Sequence, residues 1–420
     1  MVRYLTALVL LLAVGVVPVC AQESPKERRT VSFEFDFQEG VDDNPDGSGE
    51  ASSFFELRPS VQFRQYHRFG SWMVEYQSTL RRFSGLSSRD QFDHELRLDG
   101  AFRLSRRWQV NYQQSFLRST NPFLRVVDNA AGSNTVGSVL FAPNRSVVGP
   151  QQRYTRLGSN LTFQYRVGAQ TQVSFGGDYF REDQPREFLL DQETRNFRVE
   201  FGKQYARGKS LGAHYSLQLF RTPAANTRVR TQSIVVSHGF EVRPGTRITF
   251  FGGPQVSRVR SEPIINLGLF FFTLRLNLRV RESVNTLAVG TLFAHRVNDR
   301  TWLEVTASRR VSEGGGFTGT VIQKAARVNF RREISRRLTT SIAAYIADDT
   351  ALAGVGLSQD VQTKGFSTGF EYRLNRRLGL RAQYDYFHIG AVPEQLRSSL
   401  VRNRLSVGIH YSLGRVSLGR

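Results

Sequence analysis

An alternation with a period of two residues, sustained from one end of the chain to the other, is what most constrains its fold. In the last clear segment Val407, Ile409, Tyr411 and Leu413 take one parity, and Ser406, Gly408, His410 and Ser412 take the other. Successive side chains of a strand point to opposite faces, so this segment is apolar on one face and polar on the other. The same phrase stands earlier as Ser367, Gly369, Tyr372 and Leu374, with Arg376 matching Arg415. Near the start, Val31, Phe33, Phe35 and Phe37 alternate with Ser32, Glu34, Asp36 and Gln38. Farther on, Phe92, Leu96, Leu98 and Phe102 alternate with Asp93, Glu95, Arg97, Asp99 and Arg103. Charges that alternate with aliphatics over a whole strand need water on one side and lipid on the other. No apolar run after residue 21 reaches the about 20 residues that a membrane helix requires. The expectation is an all-β protein, a transmembrane antiparallel up-and-down β-barrel.

Two kinds of connection separate the strands. Short turns share a signature: Leu104-Ser-Arg-Arg-Trp108, Ile334-Ser-Arg-Arg-Leu338 and Leu374-Asn-Arg-Arg-Leu378, with Gly-, Asn- or Asp-containing turns at 166–169, 206–209, 243–246 and 297–300. These residue types supply turn geometry. The other connections, at 39–50, 120–152, 183–192, 313–319 and 348–360, are longer and more varied. Short periplasmic turns and longer outer loops are the normal asymmetry of such barrels. Both chain ends then lie inside and the strand count is even, about eighteen within a range of 16–20. Residues 247–297 hold three alternating pieces where parity allows two or four. Either one strand is long and protrudes, or an additional hairpin raises the count to twenty.

The N-terminus reads as a secretory signal. Arg3 is its basic start, Leu5 to Val17 its apolar core, and Val19-Cys20-Ala21 an A-x-A-like cleavage site that leaves Gln22 first. A lipid anchor on Cys20 is the competing reading, disfavoured by bulky Val19. The expected organisation is a signal peptide at 1–21, a periplasmic leader at 22–29, the barrel at 30–413 and a C-terminal periplasmic tail at 414–420. Cys20 is the chain's single cysteine, so cleavage removes every disulfide or thiol metal site. The formal net charge of +21 points to anionic partners. In an exported barrel these are outer-membrane lipids including lipopolysaccharide, or anionic cargo, and not nucleic acid.

The mature chain resembles bacterial outer-membrane β-barrels, and among these the porin-2-like β-barrel porins of Gram-negative bacteria. The turns quoted above, the repeated Ser-x-Gly-x-x-Tyr-x-Leu strand ends and the Gly253-Pro254-Gln255-Val256 piece carry the resemblance. It implies an outer-membrane location and a channel that passes small anionic solutes or an exported acidic polysaccharide. The last strand resembles the C-terminal signal read by the barrel-assembly machinery, with Ser406, Gly408, Tyr411 and Leu413 in its positions. Leu413 departs from the usual terminal aromatic. General diffusion porins fold their third outer loop into the lumen. The corresponding loop here, 121–152, is the longest, and its Arg125, Asp128 and Arg145 are constriction candidates.

By parity Arg97, Arg103, Arg166, Arg198, Arg243, Arg275, Arg279, Arg373, Arg381, Arg402 and Arg404 face inward. Arginine's fork of donors suits carboxylates and phosphates, so one reading is an anion path. The other is a packed interior in which these arginines pair with Asp93, Glu95, Asp99, Glu200, Glu241, Glu371 and Asp385. Trp72, Tyr76, Trp108, Tyr112, Tyr179, Trp302, Tyr372, Tyr384 and Tyr411 are expected on the lipid face as interfacial girdles. Asp42-Asp-Asn-Pro-Asp-Gly47 opens like a calcium loop but has Ser53 where a bidentate Glu belongs, so a polar hairpin tip is the plainer reading. His214-x-Ser216 and His410-x-Ser412 suggest an outer-membrane hydrolase only remotely, since both pairs face the lumen and no orienting group is evident. No cofactor and no enzyme activity is expected. A non-conducting structural or surface-binding barrel is the main alternative to a channel.

Overall fold

The structure, a computed structural model, describes residues 28–45, 50–85, 90–120, 136, 154–183, 191–223, 226–261, 264–269, 272–277, 280–313, 320–352, 361–390 and 400–417. Its strands are β1 (Arg28–Asp42), β2 (Ser52–His67), β3 (Gly70–Phe83), β4 (Gln91–Arg103), β5 (Trp108–Ser119), β6 (Tyr154–Arg166) and β7 (Thr171–Asp183). Next come β8 (Gln192–Ala206), β9 (Lys209–Thr222), β10 (Thr227–Arg243), β11 (Thr246–Ser261), β12 (Ile264–Leu269), β13 (Phe272–Asn277) and β14 (Val280–Asn298). The last are β15 (Thr301–Glu313), β16 (Thr320–Glu333), β17 (Leu338–Ala351), β18 (Val361–Arg373), β19 (Leu378–Gly390) and β20 (Leu400–Ser417). All but β12 and β13 form one 18-stranded antiparallel sheet. It closes because β1 pairs with β20 as well as with β2, while the outer part of β14, residues 280–288, pairs with β11 and not with β15.

The ambiguous stretch 247–297 resolves into two barrel strands and a separate hairpin. The β11–β14 ladder runs from Thr246↔His295 to Ser261↔Val280, and beyond it β12 and β13 pair only with each other. The alternation around Leu274 and Leu276 is therefore a genuine strand, but one outside the wall.

Registers across the sheet keep one parity outward all the way round. Phe33, Phe35, Phe37, Phe92, Leu96, Ile234, Val236, Phe250, Leu287 and Ile409 are all exposed on that face. A belt of exposed aliphatic and aromatic side chains on a closed cylinder is stable only in lipid. Trp302 departs from the expected girdle. It alternates with outward Leu303 and Val305, and its ladder partner is the lumen-parity Arg331.

The Arg-Arg turns have a common physical basis. In each, the residue before the first arginine accepts two backbone N–H bonds through its side chain. Ser105 Oγ accepts from Arg107 and Trp108 at 3.2 and 3.1 Å, Ser335 Oγ from Arg337 and Leu338 at 3.2 and 3.0 Å, and Asn375 Oδ1 from Arg377 and Leu378 at 2.8 and 2.9 Å. Short side chains that bond their own backbone favour turns. The arginines are left pointing into water.

Two local features shape the wall. The β10–β11 ladder omits rungs between Ser233↔Gln255 and Val236↔Gly252, where Gly253 and Pro254 stand. Proline has no N–H to give, and a Cβ on Gly253 would lie 1.9 Å from the Ile234 carbonyl oxygen. At the seam, β20 continues to Ser417, past the expected end at Leu413. Gly414, with φ of 80°, sits where the register with β1 shifts between Ser32 and Glu34, so the strand bulges and pairs on to Thr30.

Lumenal Phe251 lies over Gly290, where a Cβ would meet its Cζ at 2.3 Å and the Ala307 carbonyl oxygen at 2.4 Å. Gly290→Val is expected to destabilise the barrel by about 1–3 kcal/mol through overpacking. The check is a lowered urea midpoint for loss of the compact, heat-modifiable gel band, with Thr291→Val on the lipid face as control.

Candidate functional site in the barrel lumen

The lumen divides into an outer half, where wall side chains are mostly buried, and an inner half, where most are partly or fully exposed, Thr30, Ser174 and Glu304 being among the buried exceptions. Toward the outer loops Glu56, Arg81, Gln91, Ser119, Thr231, Ser257, Val321, Asp349 and Thr363 are all buried. Toward the short turns Arg97, Arg103, Gln204, Glu241, Arg331 and Arg373 are exposed, and Gln109, Asn111, Glu200, Arg381 and His410 are intermediate.

The outer half holds a charge network on β20, β1, β2, β3 and β4. One carboxylate, Glu56, is shared by Arg58, Arg81 and Arg404. Arg81 Nε donates to Glu56 Oε2 at 2.5 Å and its Nη1 to Gln91 Oε1 at 2.8 Å. Arg402 Nε donates to both oxygens of Asp42 at 2.8 and 2.9 Å. The Phe54 ring has the guanidinium carbons of Arg404 and Arg81 at 4.6 and 5.5 Å from its centroid. Register explains the convergence. Residues 42, 54, 56, 81, 402 and 404 sit at neighbouring rungs of adjacent strands, all of lumenal parity. Arg156 and Glu182 form a similar buried pair at 3.0 Å.

At mid-height the wall is apolar on one panel, formed by β10, β11 and β14. Val235 on β10, Phe251 on β11 and Ala288 and Leu292 on β14 cluster with Val136. Val136 comes from the long connection between β5 and β6, so this residue lies against the lumenal face of strands well round the barrel from its own base. Arg125, Asp128 and Arg145 of the same connection lie outside the described residues, as do 1–27, Asp46, Gly47 and Arg279.

The other expected lumenal residues fall as follows. Arg97, Arg103, Arg198, Arg381 and Arg404 stand at lumen parity in the barrel sheet. Arg97 Nε donates to Glu95 at 2.6 Å. Arg198 pairs with Asp178 and donates to Thr162 Oγ1 at 2.9 Å. Arg404 is half-buried in the Glu56 cluster. Arg275 departs from the expectation: it belongs to β13, which among the described residues pairs with β12 alone, so its parity does not make it part of the lumen wall.

In the last strand, Ser406 is lumenal and buried, and Leu413 is exposed on the lipid face. Gly408 is fixed by close approach of β1, because a Cβ there would meet the Phe37 carbonyl oxygen at 2.2 Å. Tyr411 faces Phe35 across the seam and Leu378 on the other side.

The His-x-Ser pairs do not form catalytic dyads. His214 Nε2 is 3.1 Å from Ser237 Oγ on β10, while Ser216 Oγ bonds Ser233 Oγ at 2.6 Å. Glu200 is 4.0 Å from His214 Nδ1, beyond hydrogen-bond reach, and neighbouring backbone N–H groups are used by the ladders. His410 Nδ1 is 2.7 Å from Asp36 across the seam, and Ser412 Oγ accepts from the Gly414 N–H at 3.3 Å.

Because buried Arg81 and half-buried Arg404 share one carboxylate, Glu56→Gln should leave two largely desolvated cations undercompensated. The expected cost is about 3–5 kcal/mol, read as a lower urea midpoint for unfolding of the refolded barrel. Double replacement by Glu56→Leu and Arg81→Leu should recover part of that loss.

No protein-family model and no curated protein matches the chain. Solved structures with a similar chain path include the ferric citrate transporter FecA in its unliganded form, at TM-score 0.44 and 10% identity, covering 88% of this chain. The chain spans 61% of the length of that transporter. The catecholate import receptor Fiu of E. coli K12 gives TM-score 0.47 and 7% identity, covering 93% of this chain and 82% of that one. Pseudomonas aeruginosa OccK2, solved with glucuronate, gives TM-score 0.44 and 12% identity, covering 93% and 99%. Scores this low carry no information about cargo or mechanism.

Proposed function

We propose that the barrel is an outer-membrane channel that admits small anionic solutes, or a strand of acidic polysaccharide, from its inner mouth. The single observation behind this reading is the distribution of charge and exposure along the lumen. Most wall arginines are offset by carboxylates, as in the Glu56, Asp42, Asp178 and Glu182 pairs. At the inner rim the balance tips. Arg68, Arg106, Arg107, Arg336, Arg337, Arg376 and Arg377 occupy the turns, all exposed. A basic ring at the mouth of a low-dielectric tube raises the local concentration of anions. Anion preference in this reading comes from the mouth and not from a ladder of bare arginines along the wall.

A second reading, the non-conducting barrel that acts through its outer surface, draws on a different observation. The outer lumen is buried and charge-paired, with Val136 seated against the wall below it. The two readings differ in whether that half opens.

Single-channel recording of refolded protein in planar bilayers under a salt gradient tests both. The channel reading expects steady conductance and a reversal potential on the anion-selective side. Replacing Arg106, Arg107, Arg376 and Arg377 together by Glu should move that potential toward cation selectivity. Val136→Asp, which places a charge against Val235 and Phe251, should raise conductance by releasing the connection from the wall. Silence of well-folded wild type and of Val136→Asp alike would overturn the channel reading and leave the second.

A further inference from the structure

The chain's basic excess has a second concentration, on the outside of the wall. Near the outer ends of β7, β8, β9, β10, β11 and β14 one ladder row reads Arg181↔Glu193↔Arg221↔Arg228↔Arg260↔Arg281. The next row inward carries Arg230↔Arg258. All of these have the parity of outward Ile234, Val236 and Phe250, and Arg221, Arg228, Arg230, Arg258, Arg260 and Arg281 are exposed. Six arginines therefore cover four adjacent strands in contiguous cross-strand pairs. Side chains directly opposite in an antiparallel pair have Cβ atoms about 4.5–5.5 Å apart, and like charges there are destabilising.

At the β7–β8 end of the row the same problem is solved within the chain. Arg181 donates to Asp183 at 2.7 Å and Arg195 to Glu193 at 2.6 Å. Among the described residues no ion pair serves Arg221, Arg228, Arg230, Arg258 or Arg281. The carboxylate nearest in the row, Glu193, is already held by Arg195.

The level of the row identifies what meets it. Below it on the same face come Gln232 and Val256, then Ile234 and Leu287, then Val236 and Val289, most of them exposed and apolar. From Arg230 to Ile234 is four residues, about 13 Å along the strand. A lipid-facing arginine costs about 2–4 kcal/mol at the bilayer midplane and about 0–1 near the interface. The arginines thus stand at headgroup height, directly above acyl chains. A forked guanidinium is matched by the tetrahedral oxygens of a phosphate, bidentately and with charge assistance.

We infer that the outward face of β9, β10, β11 and β14 is a binding site for a phosphorylated outer-leaflet glycolipid, with the Arg221–Arg228–Arg260–Arg281 row on its sugar phosphates. The site lies outside the lumen and is independent of whether the barrel conducts. Its ligand is a lipid and not a free anion, because the apolar strip beneath the row continues the same surface into the acyl region.

The test uses the full refolded chain in detergent micelles and native mass spectrometry with bis-phosphorylated lipid A. Dephosphorylated lipid A and inorganic phosphate are the comparison probes. Wild type should retain bis-phosphorylated lipid A about tenfold or more tightly than the triple variant Arg228→Gln, Arg260→Gln, Arg281→Gln. It should lose a similar factor with the dephosphorylated lipid. Millimolar inorganic phosphate should compete poorly. Heat-modifiable migration and, where present, conductance of the variant should match wild type, which separates lost binding from lost folding. The lumenal variant Arg97→Gln should retain the lipid. Equal retention of both lipids, or by wild type and triple variant, would overturn the inference. Full displacement by inorganic phosphate would overturn the lipid and leave a free-anion site.

Discussion

The architecture rests on the fact that a hydrocarbon environment offers no hydrogen-bond partner to a peptide group. Every N–H and C=O in the spanning region must be met by another strand, and only a sheet whose last strand finds its first achieves this. The β1–β20 seam is therefore the decisive contact. It is assembled from residues at opposite ends of the sequence: Phe37 opposite Ile409, Asp36 opposite His410, Gln38 opposite Gly408. Gly408 lets the backbones approach, His410 and Asp36 bond across the seam, and the Arg402–Asp42 pair fastens its outer end. The seam thus carries both backbone pairing and buried charge pairing, with Gly40 and Gly408 making room for the first.

The polar interior follows from the same constraint. A wall with lipid outside must put its polar residues inside, and in the outer half these are crowded enough to be removed from water. Buried charges then need partners. The arrangement found is economical, with one glutamate serving three arginines and one phenyl ring lying beside two of them. In the inner half, where side chains reach water, single pairs such as Arg97–Glu95 suffice, and the turn arginines are simply hydrated.

Much of this was legible in the sequence. Period-two alternation gave the strands and the lumenal parity of Arg97, Arg198 and Arg404, because parity is a local property. The Leu-Ser-Arg-Arg and Leu-Asn-Arg-Arg motifs marked real turns, because a serine or asparagine bonding its own backbone is also local. What local pattern does not hold is which strand a segment pairs with. Leu274 and Leu276 alternate as well as any wall strand, yet β13 pairs only with β12, and Arg275 goes with it. Trp302 reads as a girdle residue until the ladder puts it opposite Arg331. The sharing of Glu56, the packing of Val136 on β10, β11 and β14, and the arginine row on the outside all depend on cross-strand register. A sequence reading of single strands could have found the row only by asking where the outward parity carries charge. Arg228 and Arg230 beside Ile234 and Val236 were the available clue.

One detail of the wall bears on its mechanics. The two rungs missing from the β10–β11 ladder at Gly253 and Pro254 lie beside Val235, the fully buried residue on which Val136 packs. A sheet resists bending largely through its hydrogen-bond rungs, so a span without them is the most compliant line along that part of the cylinder. Here the compliant line and the connection's foothold coincide. A push on Val136 would be taken up first as a local flexing between β10 and β11, while the continuous β11–β14 ladder behind it stays stiff. The wall is thus built with a soft panel set against a rigid frame, at the height where Val136 leans on it.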